Sequence, residues 1–114
     1  MHPADSAVNW KQIERKLRMR PSEVLPQHRE TIRRLVLQAG MANPRVFGSV
    51  VRGEDREDSD LDILVDPAPR ASLLAMEKLQ AQLEKVTGVK IDLRTPEEFH
   101  QRFRGKVLTE AAAL

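Results

Sequence analysis

Asp60 and Asp62 stand two positions apart in the segment Asp-Leu-Asp-Ile-Leu-Val-Asp. In an extended strand, residues i and i+2 point to the same side, with Cα atoms about 6.6 Å apart. Both carboxylates would then lean into one space. Two anions held that way repel, and one pKa rises unless a cation intervenes. Oxygen donors of this kind suit Mg²⁺, which one or two carboxylates hold together with substrate phosphates. Asp92 lies on the polar face of a second candidate strand, residues 89–94. If the two strands are neighbours, it completes a three-carboxylate cluster. Such a cluster serves displacement at phosphorus, because paired cations stabilise both the attacking and the leaving oxygen.

Gly48-Ser49 follows a short candidate strand, Arg45-Val46-Phe47, and is read as entering a helical turn. Glycine permits close backbone approach to a phosphate. The Ser49 hydroxyl and the N–H groups of the turn can hold phosphate oxygens, and Arg52 adds positive charge nearby in sequence. Neither a Gly-Ser pair nor an Asp-x-Asp carries much information alone. Gly-Ser, ten residues, then Asp-x-Asp fixes four positions. That pattern should arise by chance in on the order of one in a thousand chains of this length. A phosphate cradle and a metal cluster together imply a nucleoside triphosphate. Other polar residues have ordinary readings. Asp66 before Pro67 reads as a strand terminator, and Ser59 as support for its turn. Lys90 and Arg94 flank Asp92, where contact with phosphate or acceptor and a structural ion pair both remain open.

These residues must be positioned by regular elements. Ser6, Trp10, Ile13 and Leu17 have the spacing of a capped helix over residues 6–20, which Pro21 would end. Ile32, Leu35, Val36 and Ala39 place a second helix over about 26–39, with Gly40 as its cap. Asn43-Pro44 reads as a turn. Residues 53–59 form a polar connection. Residues 60–66 alternate, with Leu61, Ile63 and Val65 opposite Asp60, Asp62 and Asp66, before Pro67 and Pro69 stop the strand. Leu73, Met76, Leu79, Leu83 and Val86 predict an amphipathic helix over 72–86. Residues 89–94 alternate again. Thr95, Pro96 and Glu98 suit the start of a further helix, continuing over 104–114 into the Ala111–Ala113 run. The expected fold is α/β: a small mixed β-sheet with helices packed on one face and the carboxylates on the open face.

The chain has 114 residues, which points to one domain. It has no cysteine, which excludes a disulfide framework, a thiolate zinc site and a cysteine nucleophile. No apolar run approaches the ~20 residues of a membrane span. Met1 to Trp10 lacks the apolar core of a secretory signal, so cytoplasmic residence is expected. Residues 1–52 hold ten Lys or Arg against four Asp or Glu, whereas residues 53–114 hold nine against thirteen. The basic half could meet an acidic partner or nucleic acid, or be a solvated helix face. A single Trp on that helix is thin support for base stacking, so direct nucleic-acid binding is not expected. His2, His28 and His100 have no metal-ligand spacing with one another.

The stretch GSVVRGEDREDSDLDILVD, residues 48–66, resembles the signature of the DNA polymerase β-type nucleotidyltransferase superfamily. Within it, the chain is similar to the minimal nucleotidyltransferase antitoxins encoded beside HEPN-domain toxins. PRVFGSVVRG at 44–53, VKIDLRTPEEF at 89–99 and VLTEAAAL at 107–114 extend the likeness to about residues 22–114. The resemblance implies a nucleotidyltransferase domain at 22–114 preceded by a helical extension, 1–21. It implies that Gly48 and Ser49 hold the triphosphate, and that Asp60, Asp62 and Asp92 bind two Mg²⁺ ions. It further implies that Asp92 helps activate the acceptor hydroxyl, and that AMP passes from ATP to a tyrosine of a HEPN ribonuclease toxin. Val51 stands where relatives often carry Ala before Arg-Gly. Two rival readings compete with this one: a nucleotidyltransferase acting on a small molecule such as an antibiotic, and a non-catalytic module that neutralises its partner by occlusion. The intact carboxylate triad disfavours the second. The shared core takes up nearly the whole chain, leaving no evident acceptor pocket, which disfavours the first and favours a docked protein acceptor.

Overall fold

The computed structural model describes residues 19–69 and 72–114. Its elements are α1 (Pro21–Gln38), β1 (Ala42–Phe47), α2 (Ser49–Arg52), β2 (Leu61–Asp66), α3 (Leu73–Thr87), β3 (Ile91–Arg94), a 3₁₀ turn (Pro96–Glu98), α4 (Gln101–Glu110) and β4 (Ala112–Ala113). The strands form one mixed sheet in the order β3-β2-β1-β4. β2 and β3 run parallel, whereas β1 is antiparallel to both β2 and β4. The parallel pair needs a crossover, and α3 supplies it.

Strand alternation sorts the sheet into two faces. Val46, Leu61, Ile63, Val65, Ile91 and Leu93 pack with Ile32 and Val36 of α1 and Leu79 and Leu83 of α3. Most of these side chains are fully buried, and each contributes roughly 1.5–3 kcal/mol relative to exposure. Both long helices therefore cover the same face, as the apolar spacing requires. The other face is less open than the alternation implied. Leu64 is completely buried on it, in register between Arg45 of β1 and Arg94 of β3, and the 3₁₀ turn packs against β2.

Several local expectations are corrected. Pro21 opens α1 at its first position, where its missing N–H is no loss. The Arg20 N–H donates to Glu23 Oε1 at 3.0 Å, and the Ser22 N–H donates to Asp55 Oδ2 at 2.9 Å. Asp55 is buried and remote in sequence, so α1 starts earlier than a local reading could place it. Asn43-Pro44 lies inside β1 rather than in a turn, at an irregularity between Ala42 and Arg45 with Asn43 at φ 54°. A bulge absorbs a positive φ that Asn tolerates. β3 begins at Ile91 rather than Val89. Thr95 to Glu98 forms one 3₁₀ turn, closed by the Thr95 N–H to Glu98 Oε2 bond at 2.8 Å. A separate helix then begins after His100, whose Nδ1 accepts the Arg102 N–H at 3.1 Å.

The Ala111–Ala113 run is not helical. Ala112 and Ala113 pair with Val46 and Arg45, and the Leu114 N–H donates to the Pro44 carbonyl at 3.0 Å. Pairing with the free edge of β1 overrides alanine's high intrinsic helix propensity, an advantage of only roughly a few tenths of a kcal/mol per residue over most residue types. The helix expected over 6–20 lies, up to residue 18, outside the described residues. No helix among the described residues is long and apolar enough to cross a membrane.

Candidate active site

Register decides which side chains meet on the less covered face. Phe47 of β1 sits opposite Asp62 of β2, and Asp62 sits beside Asp92 of β3. The two carboxylates are thus neighbours across a parallel pair, although 30 positions of sequence separate them. Asp60 immediately precedes β2, and its charge is felt at Asp62. Burial raises the Asp62 pKa first. The negative charge of Asp92, a hydrogen bond to Asp92 and the charge of Asp60 raise it further, while Arg94 opposes them, leaving it at about 6. Burial and converging negative charge both disfavour the ionised form.

Gly48 joins β1 to α2 at φ 76° and ψ −148°, a combination open essentially to glycine alone. A Cβ built there would overlap the Asp62 carboxylate, with its Cγ 3.0 Å away. The absence of a side chain at position 48 is therefore what lets the backbone turn lie against the acid. Ser49 is the first residue of α2. Its carbonyl accepts the Glu54 N–H at 2.9 Å, closing the turn. Ser59 Oγ accepts the Arg56 N–H at 2.8 Å, steadying the connection that delivers Asp60.

The cationic residues distribute differently from the reading. Arg52 turns to Glu54 Oε1 at 3.2 Å and Glu110 Oε2 at 3.5 Å, rather than to the three aspartates. Asp66 is held by Arg45 at 2.7 Å and by the Asn43 amide at 3.2 Å, away from the cluster. Arg94 is the cation that meets the site, donating from Nε to both oxygens of Asp92 at 3.1 and 3.2 Å. Phe47 and Phe99 line the same region, their rings 5.5 Å apart and nearly perpendicular. Sequence reasoning did not single out either aromatic, since only the fold brings residue 99 back to residue 47.

Among the described residues, no three acidic or histidine side chains are already gathered to hold one metal ion. The donors nonetheless suit a divalent cation. They are hard carboxylate oxygens whose mutual repulsion a cation would relieve, beside a backbone bend that a Cβ would block. A carboxylate pair next to a glycine turn at a helix start can hold a metal and a phosphate group side by side.

Known proteins resemble this chain in sequence and fold. Residues 25–114 match the family model of the nucleotidyltransferase domain. A Methanocaldococcus jannaschii protein assigned as a protein adenylyltransferase is 36% identical over 77 residues, 68% of this chain and 83% of its own length. The protein adenylyltransferase MntA of Thermococcus cleftensis is 43% identical over 70 residues, 61% of this chain and 68% of its own. A solved structure assigned as a minimal nucleotidyltransferase superposes with a TM-score of 0.75 at 42% identity, covering 82% of this chain and 95% of that one. A toxin–antitoxin structure with AMP-PNP superposes with a TM-score of 0.60 at 22% identity, covering 70% and 66%, a likeness of fold. The chain belongs to the nucleotidyltransferase domain family and is an enzyme of that class.

Proposed function

We propose that this chain is an antitoxin that transfers AMP from ATP to a hydroxyl, most simply a tyrosine, of a cognate HEPN ribonuclease toxin. Residues 22–114 would form the catalytic domain and 1–21 an extension. The observation that carries the reading is the contact of the Gly48 bend with Asp62, in register beside Asp92. The relatives named protein adenylyltransferase support a protein acceptor. The fold shared with a toxin–antitoxin pair crystallised with AMP-PNP supports ATP and a toxin partner.

In this reading Asp60, Asp62 and Asp92 would hold Mg²⁺, which would supply positive charge to the triphosphate. The open N–H groups of Gly48, Ser49 and Val50 face the phosphates, and the Ser49 hydroxyl donates to a phosphate oxygen. The acceptor oxygen forms a bond to the α-phosphorus as the bond to pyrophosphate breaks. Pyrophosphate leaves, and Asp92 takes or orients the hydroxyl proton. Positioning and charge stabilisation do most of this work. Arg52, assigned to the phosphates by its place in sequence, would have to leave Glu54 and Glu110 to reach them. ATP at working concentration fits a cytoplasmic location.

The test is incubation with Mg²⁺, α-labelled ATP and the toxin encoded beside this protein. Label should appear on the toxin and vanish with Asp60→Ala or Asp62→Ala. Neutralisation that survives both substitutions without label would instead establish occlusion.

A further inference from the structure

Arg94 is placed by three contacts. Its Nε donates to both oxygens of Asp92 at 3.1 and 3.2 Å. Its guanidinium carbon lies 5.7 Å from the centre of the Phe99 ring, over its face. Phe99 in turn meets Phe47 edge to face at 5.5 Å, and Phe47 is the residue before Gly48. The turn that carries Phe99 is itself pinned. Arg104 of α4 donates to the Pro96 carbonyl at 2.9 Å from Nε and to the Phe99 carbonyl at 3.1 Å from Nη2. One continuous brace therefore runs from α4 through Phe99 to both halves of the site, the Gly48 bend and the Asp92 carboxylate.

We infer that Arg94, held by Phe99, is a positioning residue that orients Asp92 and balances its charge before a metal–nucleotide complex binds. This rests on the reading of Asp92 as a metal ligand. The physical argument has two parts. A carboxylate on a short edge strand is free to rotate, and a donor shared between its two oxygens fixes its plane. A guanidinium is planar and stacks on an aromatic face, whereas an ammonium cannot reproduce that fork. The same positive charge opposes an incoming cation, which would have to share the Asp92 carboxylate with it. Arg94 therefore steadies the metal-free protein and opposes metal loading, while making the loaded site more regular.

The test uses the full chain as native protein, Arg94→Ala, Arg94→Lys and Phe99→Leu. Thermal unfolding is followed with and without Mg²⁺ plus a non-hydrolysable ATP analogue, beside steady-state AMP transfer. Arg94→Ala should melt lower than native without metal. Its rise on adding the Mg²⁺–nucleotide should exceed the native rise by roughly 2 °C or more, a change that lost packing alone would not produce. Its kcat should fall about tenfold or more with KM for ATP altered less than about threefold. Arg94→Lys should recover the metal-free melting temperature but not kcat, and Phe99→Leu should show a weaker form of the alanine effect. An Arg94→Ala kcat within twofold of native, or a metal-induced rise no larger than native, overturns the inference. A native protein whose melting temperature does not respond to the Mg²⁺–nucleotide overturns the metal-site reading as well, so the two failures are distinguishable.

Discussion

The two faces of the sheet are built on opposite terms. On the face covered by α1 and α3, aliphatic side chains repeat, and Val46, Ile63, Leu79 and Leu83 do much the same work. On the other face each neighbour is particular: Phe47 beside Asp62, Asp62 beside Asp92, and Arg94 against Asp92. The first face lowers the free energy of the fold by removing apolar surface from water. The second raises it, because Asp62 sits half-buried among like charges. Comparing them shows where changes should cost stability and where they should cost chemistry.

The sharpest way to break the contrast is at an acid. Asp60→Asn should lower AMP transfer roughly 10³-fold, the scale of a lost charge-stabilising group, while far-ultraviolet circular dichroism and melting temperature stay near native. A comparable loss from unfolding would show that the acid is structural. The converse change is Leu83→Ala on the helix-covered face. Leu83 is fully buried, so denaturant titration should show about 2–5 kcal/mol of destabilisation. Whatever protein remains folded should transfer AMP at close to the native rate.

Gly48→Ala tests the boundary between the faces. It puts a Cβ into the Asp62 carboxylate at a backbone angle suited to glycine. A loss of roughly 1–3 kcal/mol is expected, together with weakened nucleotide binding by calorimetry. Stability loss with intact nucleotide affinity would separate the bend from the phosphate. The smallest effect concerns Asp62 itself. Its folded pKa of about 6 lies above the ordinary 3.8, so the folded protein binds the proton more tightly than the unfolded chain. Stability of the metal-free protein should fall as pH rises from about 4 through about 6, then level. Partial exposure limits the change to about 1 kcal/mol. Asp62→Asn should melt slightly higher than native above pH 6 and remove that slope.

Legibility in the sequence differed between the faces for physical reasons. Alternation along residues 60–66 and helical spacing along 72–86 reveal the covered face, because burial of one side leaves a periodic trace. The Gly-Ser and Asp-x-Asp spacing exposes the acids, since few arrangements need those types together. Contacts made through tertiary structure leave no such trace. Asp55 caps α1 from 33 positions away, Ala112–Ala113 becomes a strand because β1 has an open edge, and Phe99 reaches Phe47 across the sheet. Arg52 shows the opposite failure, since closeness in sequence to Ser49 did not bring its guanidinium to the aspartates.

The central claim is that the Gly48 bend and the aspartates form one metal-dependent triphosphate site. Calorimetric titration of ATP into the native protein and into Asp62→Asn, each with and without Mg²⁺, tests it most directly. The account predicts binding by the native protein that requires Mg²⁺ and is lost in Asp62→Asn. Equal ATP affinity with and without Mg²⁺, or equal affinity in the two proteins, would contradict it.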